Sequence, residues 1–217
     1  MHRILHTVAA GALLACGAAH AASVTALPGS TTYTFGTEDY FGAGPKTVAP
    51  GITWSSEYSV SVYGSDNEYG FIDNGFWSGL SMIGTNDATS TMTLSFADAV
   101  AGVGAFMNWA NGTGTAVIAV HDASRALLES YTLTFMTSGG VNQGEFHGFS
   151  RGAADIQYMT FTGAFIGAAN LEVITTPIPE PGTYALMAAG LLAVGTVTRR
   201  RRNRERPWVD GARQSKL

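Results

Sequence analysis

Thr89-Ser90-Thr91-Met92-Thr93-Leu94-Ser95-Phe96 alternates polar and apolar side chains, which puts Met92, Leu94 and Phe96 on one face of an extended strand. The same period of two recurs at residues 31–35, 58–63, 103–109, 116–121, 127–135, 156–162 and 171–174. Thr, Val, Tyr and Phe are frequent in these stretches, and such residues fit a pleated, half-buried surface. Turn formers separate them: Gly64-Ser65-Asp66-Asn67, Asp73-Asn74-Gly75, Gly84-Thr85-Asn86-Asp87, Asn111-Gly112 and Gly139-Gly140. Helical periodicity is almost absent. The pattern predicts an all-β domain over residues 22–176, with eight to ten short antiparallel strands in two packed sheets, a β-sandwich of jelly-roll type.

Composition agrees with a β domain and excludes several functions. Of 217 residues, 46% are hydrophobic and 13% charged, with 27 glycines; the charged share is about half that of an ordinary soluble domain. Charge is segregated. Residues 22–176 hold 13 Asp/Glu against 3 Lys/Arg, whereas residues 199–217 hold 8 Lys/Arg against 2 Asp/Glu. An acidic domain repels the phosphates that dominate nucleic-acid affinity, so no nucleic-acid partner is expected. The single cysteine, Cys16, allows neither a disulfide framework nor a cysteine-based zinc site.

Both ends read as addresses. Arg3, a predominantly apolar or small run from Ile4 to Ala19, and the small-x-small triplet Ala19-His20-Ala21 predict a signal peptide over residues 1–21, with Ala22 as the first mature residue. Leu13-Leu14-Ala15-Cys16 resembles a lipobox, but Leu14 is uncommon at its place in that box and an ordinary cleavage site follows at once. At the other end, Pro177-Ile178-Pro179-Glu180-Pro181 cannot serve a strand ladder. An uncharged run, 184–198, then meets Arg199-Arg200-Arg201-Arg202. At about 1.5 Å per residue this run is a short membrane helix whose arginines remain on the cytoplasmic side.

Pro179-Glu180-Pro181, an apolar helix and an arginine cluster, in that order, resemble the PEP-CTERM sorting signal of exopolysaccharide-secreting Gram-negative bacteria. The resemblance spans 177–202. It implies that the membrane enzyme exosortase recognises Pro179, Glu180 and Pro181, and that the protein, first held in the membrane, reaches the cell surface or the extracellular matrix. The polar tail 203–217 departs from that pattern, which usually stops soon after its arginines. Within the domain, Leu94-Ser95-Phe96, the segment 100–106 and the strand-Asp-turn-strand around Asp122 are similar to galactose-binding-like jelly rolls, several of which bind carbohydrate.

Motifs for catalysis are sparse. There is no Gly-x-Ser-x-Gly elbow, and the two domain histidines, His121 and His147, lack a helical metal-binding spacing and read as surface histidines. The domain therefore reads as non-catalytic, a structural or adhesive matrix component that binds exopolysaccharide; the alternative is a secreted polysaccharide-active enzyme. Phe71-Ile72-Asp73-Asn74-Gly75-Phe76-Trp77 mixes rings with amide and carboxylate groups, and Trp77, Phe76 and Asn74 are the candidate glycan-binding residues. Asp66, Asn67, Glu68 and Asp73 are rich in hard oxygen ligands and form the candidate Ca2+ site, although Asp and Asn also favour turns for purely local reasons. Thr89-Ser90-Thr91-Met92-Thr93 is a fragment of an ice-binding ladder, but nothing repeats it.

Overall fold

A computed structural model of the chain describes residues 22–176 and, separately, Leu191. The chain divides into two compact units, Met1–Pro177 and Ile178–Leu217. Within the first unit the strands run β1 (Ala22–Val24), β2 (Thr31–Tyr33), β3 (Tyr40–Phe41), β4 (Lys46–Ala49), β5 (Ile52–Ser56), β6 (Val62–Ser65), β7 (Tyr69–Gly70) and β8 (Phe76–Trp77). They continue with β9 (Met82–Gly84), β10 (Thr91–Val100), β11 (Gly102–Asn108), β12 (Val117–His121), β13 (Leu127–Thr132), β14 (Glu145–Ser150), β15 (Ile156–Thr162) and β16 (Gly167–Ile174). A 3-10 turn, Ile72–Asn74, lies between β7 and β8.

One sheet has the order β1-β14-β11-β16-β9-β6-β3, with β2 also paired to β16; the other runs β13-β12-β15-β10-β5-β4. All these pairings are antiparallel, so the protein is an all-β antiparallel sandwich. The chain passes from the second sheet to the first at Ala101, between β10 and β11, and does so again through 163–166, between β15 and β16. Met92, Leu94 and Phe96 of β10 face Val103, Ala105 and Met107 of β11 across a core that also takes Trp54, Tyr63, Ile118, Phe149 and Phe161. The alternation in residues 89–96 is therefore realised as the buried face of a central strand.

Some stretches depart from the sequence expectation. Residues 58–61 turn instead of extending, with the Ser61 amide donating to the Tyr58 carbonyl at 3.2 Å, and pairing starts only at Val62. The Gly-rich segment around His147 is a strand, β14, paired on both sides, with β1 and with β11. Gly104 and Gly148 stand opposite each other in β11 and β14, and a Cβ on Gly148 would lie 2.7 Å from the Gly104 Cα. These glycines let the two backbones approach.

The face of the first sheet turned away from this core is also apolar. Met82 and Ala169 form a second cluster there with Phe71 and Trp77, packed by Tyr69, Leu80 and Phe106. The β7–β8 hairpin lies over this face and supplies the rings. It fits because β9 and β16 present a registered pair of glycines, Gly84 opposite Gly167. A Cβ on Gly167 would meet the Phe71 ring at 2.7 Å and the Trp77 ring at 3.1 Å, and one on Gly84 would meet Tyr69 at 3.2 Å. The two glycines thus form a trough that seats an aromatic row.

Gly167→Ala is expected to lower stability by about 1–3 kcal/mol, because rings on both sides of the added methyl are already packed. Urea unfolding followed by tryptophan fluorescence measures this; an unchanged midpoint would show that the hairpin can lift without cost.

Candidate functional site

The row in the trough consists of four rings. Tyr69 and Phe71 are 5.1 Å apart between centroids, Phe71 and Trp77 4.9 Å, and Trp77 and Phe106 5.5 Å with the last pair nearly parallel at 19°. Contacts of this geometry contribute about 0.5–1.5 kcal/mol each beyond area burial. The two middle rings are wholly buried, whereas Tyr69 and Phe106 are only partly so. Each end of the row opens into a surface depression.

At the Phe106 end the depression holds about 380 Å³ and is lined by Phe106, Met136, Gln143 and Glu145 together with Thr137, Ser138, Asn142 and Gly144. Trp77 backs the Phe106 ring and donates its Nε1–H to the Gln143 carbonyl at 2.7 Å. Asn74 ties the rim down. Its Nδ2 donates to the Trp109 carbonyl at 3.0 Å, its Oδ1 accepts from the Thr137 amide at 2.8 Å, and its carbonyl accepts from the Thr137 hydroxyl and from Asn108 Nδ2. Asn142 exchanges two hydrogen bonds with the Ser78 backbone, and Gln143 Oε1 accepts from Ser138 Oγ and the Gly140 amide. A loop pinned this often along its length is pre-organised, which reduces the ordering cost of binding.

These contacts correct the expected roles of Trp77 and Asn74. Both side chains are wholly buried, so neither can touch a sugar; they are the scaffold behind the depression. Phe76 is half-buried and serves through its backbone, its carbonyl accepting from the Asn142 amide at 2.8 Å. Phe106, Met136, Gln143 and Glu145 carry the exposed surface that sequence reasoning missed. Phe106 lies in an alternating strand out of phase with Val103 and Ala105, so the period puts it on the opposite face; nothing local tells that the hairpin leaves part of its ring uncovered.

At the Tyr69 end a second depression of about 390 Å³ is lined by Phe41, Tyr69, Phe165, Asn67, Glu68 and Asn86, with parts of β6. The Tyr69 hydroxyl accepts from the Asn86 amide at 3.1 Å, and burial pushes its pKa upward. Two of the four expected calcium ligands, Asn67 and Glu68, are here. Asp73 sits in the 3-10 turn at the tip of the hairpin, and the Asp66 carbonyl accepts from the Gly79 amide. Among the described residues no three His, Cys, Asp or Glu side chains converge, so the proposed set of Asp66, Glu68 and Asp73 is not assembled. Asp87 and Asp122 hold turns instead. Asp87 Oδ1 accepts from the amides and hydroxyls of Thr89 and Ser90, led by the Ser90 hydroxyl, and these bonds hold its pKa down at about 2.

The expected sorting residues Pro179, Glu180 and Pro181, the cluster Arg199 to Arg202 and the signal peptide lie outside the described residues. Among the described residues no helix is long and apolar enough to cross a membrane. Residues 177–202 match the PEP-CTERM protein-sorting motif, so the chain carries this sorting signal. No curated protein matches the sequence. Three solved structures resemble parts of the fold. A carbohydrate-binding module, CsCBM6-3 from Clostridium stercorarium in complex with cellobiose, is 16% identical, with 55% of this chain and 89% of that one covered and a TM-score of 0.32. The lectin domain of lectinolysin complexed with Lewis B antigen is 13% identical over 44% and 72% at a TM-score of 0.30. The CBM32 module of AlyQ in complex with 4,5-unsaturated mannuronic acid is 16% identical over 43% and 77% at 0.29.

His147, expected at the surface, is buried. Its ring stacks between Tyr131 and Phe135, at 5.1 and 5.3 Å, and its Nε2 lies 3.2 Å from Glu145 Oε2, while Nδ1 has no hydrogen-bond partner. Desolvation lowers its pKa from the ordinary 6.5, and the bond to Glu145 opposes this only in part. A group favoured in its neutral form by folding contributes stability that is complete above its unfolded pKa and lost as pH falls through it. The thermal unfolding midpoint of the wild type is therefore expected to fall as the pH is lowered below about 6.5. His147→Phe, which keeps the stack, should flatten that first decline, and an equal slope in both proteins would assign it elsewhere.

Proposed function

We propose that this is an exported, exosortase-sorted protein of the cell surface or extracellular matrix, whose sandwich domain binds exopolysaccharide at the Phe106 depression. The observation that carries the binding site is the partly exposed Phe106 ring, backed by Trp77 and ringed by a rim already held in place. A sugar offers an apolar face of C–H groups and an equatorial fringe of hydroxyls. The ring and the Met136 side chain suit the first; the Gln143 amide and the Glu145 carboxylate suit the second. The role is non-catalytic: the depression binds a saccharide without cleaving it. An enzyme acting on polysaccharide is distinguished by product, since a binding module leaves the chain length of its ligand unchanged.

Delivery follows from the motif at 177–202. Exosortase recognition of Pro179-Glu180-Pro181 releases or transfers the domain, and the arginine cluster holds the precursor in the membrane until then. Replacing Pro179, Glu180 and Pro181 together by alanine is expected to leave the protein in the membrane fraction and remove it from the surface and medium. Unchanged surface delivery would reduce the segment to an anchor.

For the binding site the informative change is Phe106→Leu, which keeps an apolar side chain on Trp77 and removes the flat ring face. It is expected to weaken polysaccharide retention in native affinity gels about tenfold, the equivalent of one aromatic contact. Retention equal to that of the wild type, with the fold intact by circular dichroism, would remove the depression from consideration.

A further inference from the structure

The Tyr69 end of the aromatic row repeats the composition of the Phe106 end. An exposed or partly exposed ring, here Phe41 with 53% of its surface accessible, stands beside amide side chains and one carboxylate, in a depression of similar volume. Among the described residues, no partner engages the Asn67 side-chain amide or the Glu68 carboxylate; the bond from Asn67 to Ser65 Oγ uses the backbone. Phe165 is brought to the rim by a turn in which it and Ala164 both hold positive φ, 51° and 44°. Left-handed backbone costs roughly 1 kcal/mol at each non-glycine residue. The Phe165 and Ala164 amides donate to Asp87 and Ala88 at 3.1 and 2.9 Å and hold that turn.

The two depressions are not ends of one open groove. The hairpin lies between them, with Phe71 and Trp77 wholly buried beneath it, so a short saccharide seated at Phe106 does not reach Phe41. Nor does either rim contain a cation. The domain's three basic side chains are engaged elsewhere: Lys46 on Glu38 and the Tyr40 ring, Arg151 on Asp155, and Arg125 over the Tyr158 ring. Glu145 and Glu68 are the charged residues lining the two sites. A uronate would meet carboxylate at both, in a domain with a large acidic excess, and like charges placed together cost free energy.

We propose that the Phe41–Tyr69–Phe165 depression is a second saccharide site, that both sites take neutral sugars, and that one molecule therefore ties two neutral polysaccharide strands together. This rests on the reading of the Phe106 depression as a saccharide site and extends it from binding to cross-linking. Two separated sites on one rigid sheet allow avidity on a long polymer and a network when the polymer is in excess.

The test uses the full purified chain with dextran, galactomannan and xylan as neutral probes and alginate as the anionic one. Affinity gels report binding, light scattering reports cross-linking, and calorimetry on a hexasaccharide of the retained polymer reports the number of sites. The expected result is retention by at least one neutral polymer, two saccharides per chain, and turbidity that rises and falls with the protein-to-polymer ratio. Phe41→Ala removes an exposed side chain and leaves the core intact; it should keep retention, give one saccharide per chain and abolish turbidity. Phe106→Leu should likewise give one saccharide per chain and no turbidity, with retention weakened about tenfold but not abolished, and the double variant should lose retention as well. Turbidity and two-site binding unchanged in Phe41→Ala would overturn the second site and leave the first standing. Loss of all retention in Phe106→Leu alone would also mean a single site. Retention by alginate and not by the neutral polymers would overturn the assignment of ligand class, and no retention by any polymer would overturn both readings.

Discussion

Trp77 is the contact on which the outer half of this domain depends. Its ring lies between Phe71 and Phe106 over the space left by Gly167, and its one polar atom is satisfied by the Gln143 carbonyl. Covering an apolar sheet face with a two-stranded hairpin is marginal unless the hairpin brings large side chains, since an isolated hairpin is barely stable. Here three of the four rings come from the hairpin and its flank, and the fourth from the sheet beneath it. The same indole also fixes the 136–145 loop through its N–H. Sheet, hairpin and rim are therefore one mechanical unit.

Buried polar groups do the aligning. Asn74 and Asn108 are wholly buried, and together their side chains spend their hydrogen-bonding capacity on backbone groups that link three segments: the hairpin, the end of β11 and the loop before β14. A buried amide costs free energy unless it is satisfied, so its partners specify one arrangement of those segments over all slipped ones. The depressions are the by-product. They lie where the hairpin stops covering the sheet, at the partly exposed terminal rings, Tyr69 and Phe106, of a row whose interior is packed.

Charge narrows what such surfaces can hold. The few cations of the domain are each paired or stacked, so the acidic excess is not relieved at either depression. Aromatic faces with amides suit uncharged, hydroxyl-rich ligands. Under the proposed two-site reading, avidity on a polymer comes from the geometry of the two depressions.

Alternation in residues 89–96 and the segments like it was legible because strand pleat is local: side chains two apart share a face whatever the rest of the chain does. The sorting signal was legible for a similar reason, since an enzyme reads its linear order of Pro-Glu-Pro, apolar run and arginines. β14 was missed because its glycines serve close approach to β11, a demand made by a strand some forty residues earlier. The residue types in 71–77 point to a binding loop, yet Trp77 and Asn74 are buried supports. Whether a ring in a Gly- and Asn-rich segment faces water or a sheet depends on partners far along the chain, here Gly167, Gln143 and Thr137. Strand content, export and sorting thus follow from the sequence by itself, because their signals are short-range. Which rings are exposed, and that they stand at the two ends of one row, was decided only by the tertiary structure, because burial is a property of what packs against a residue.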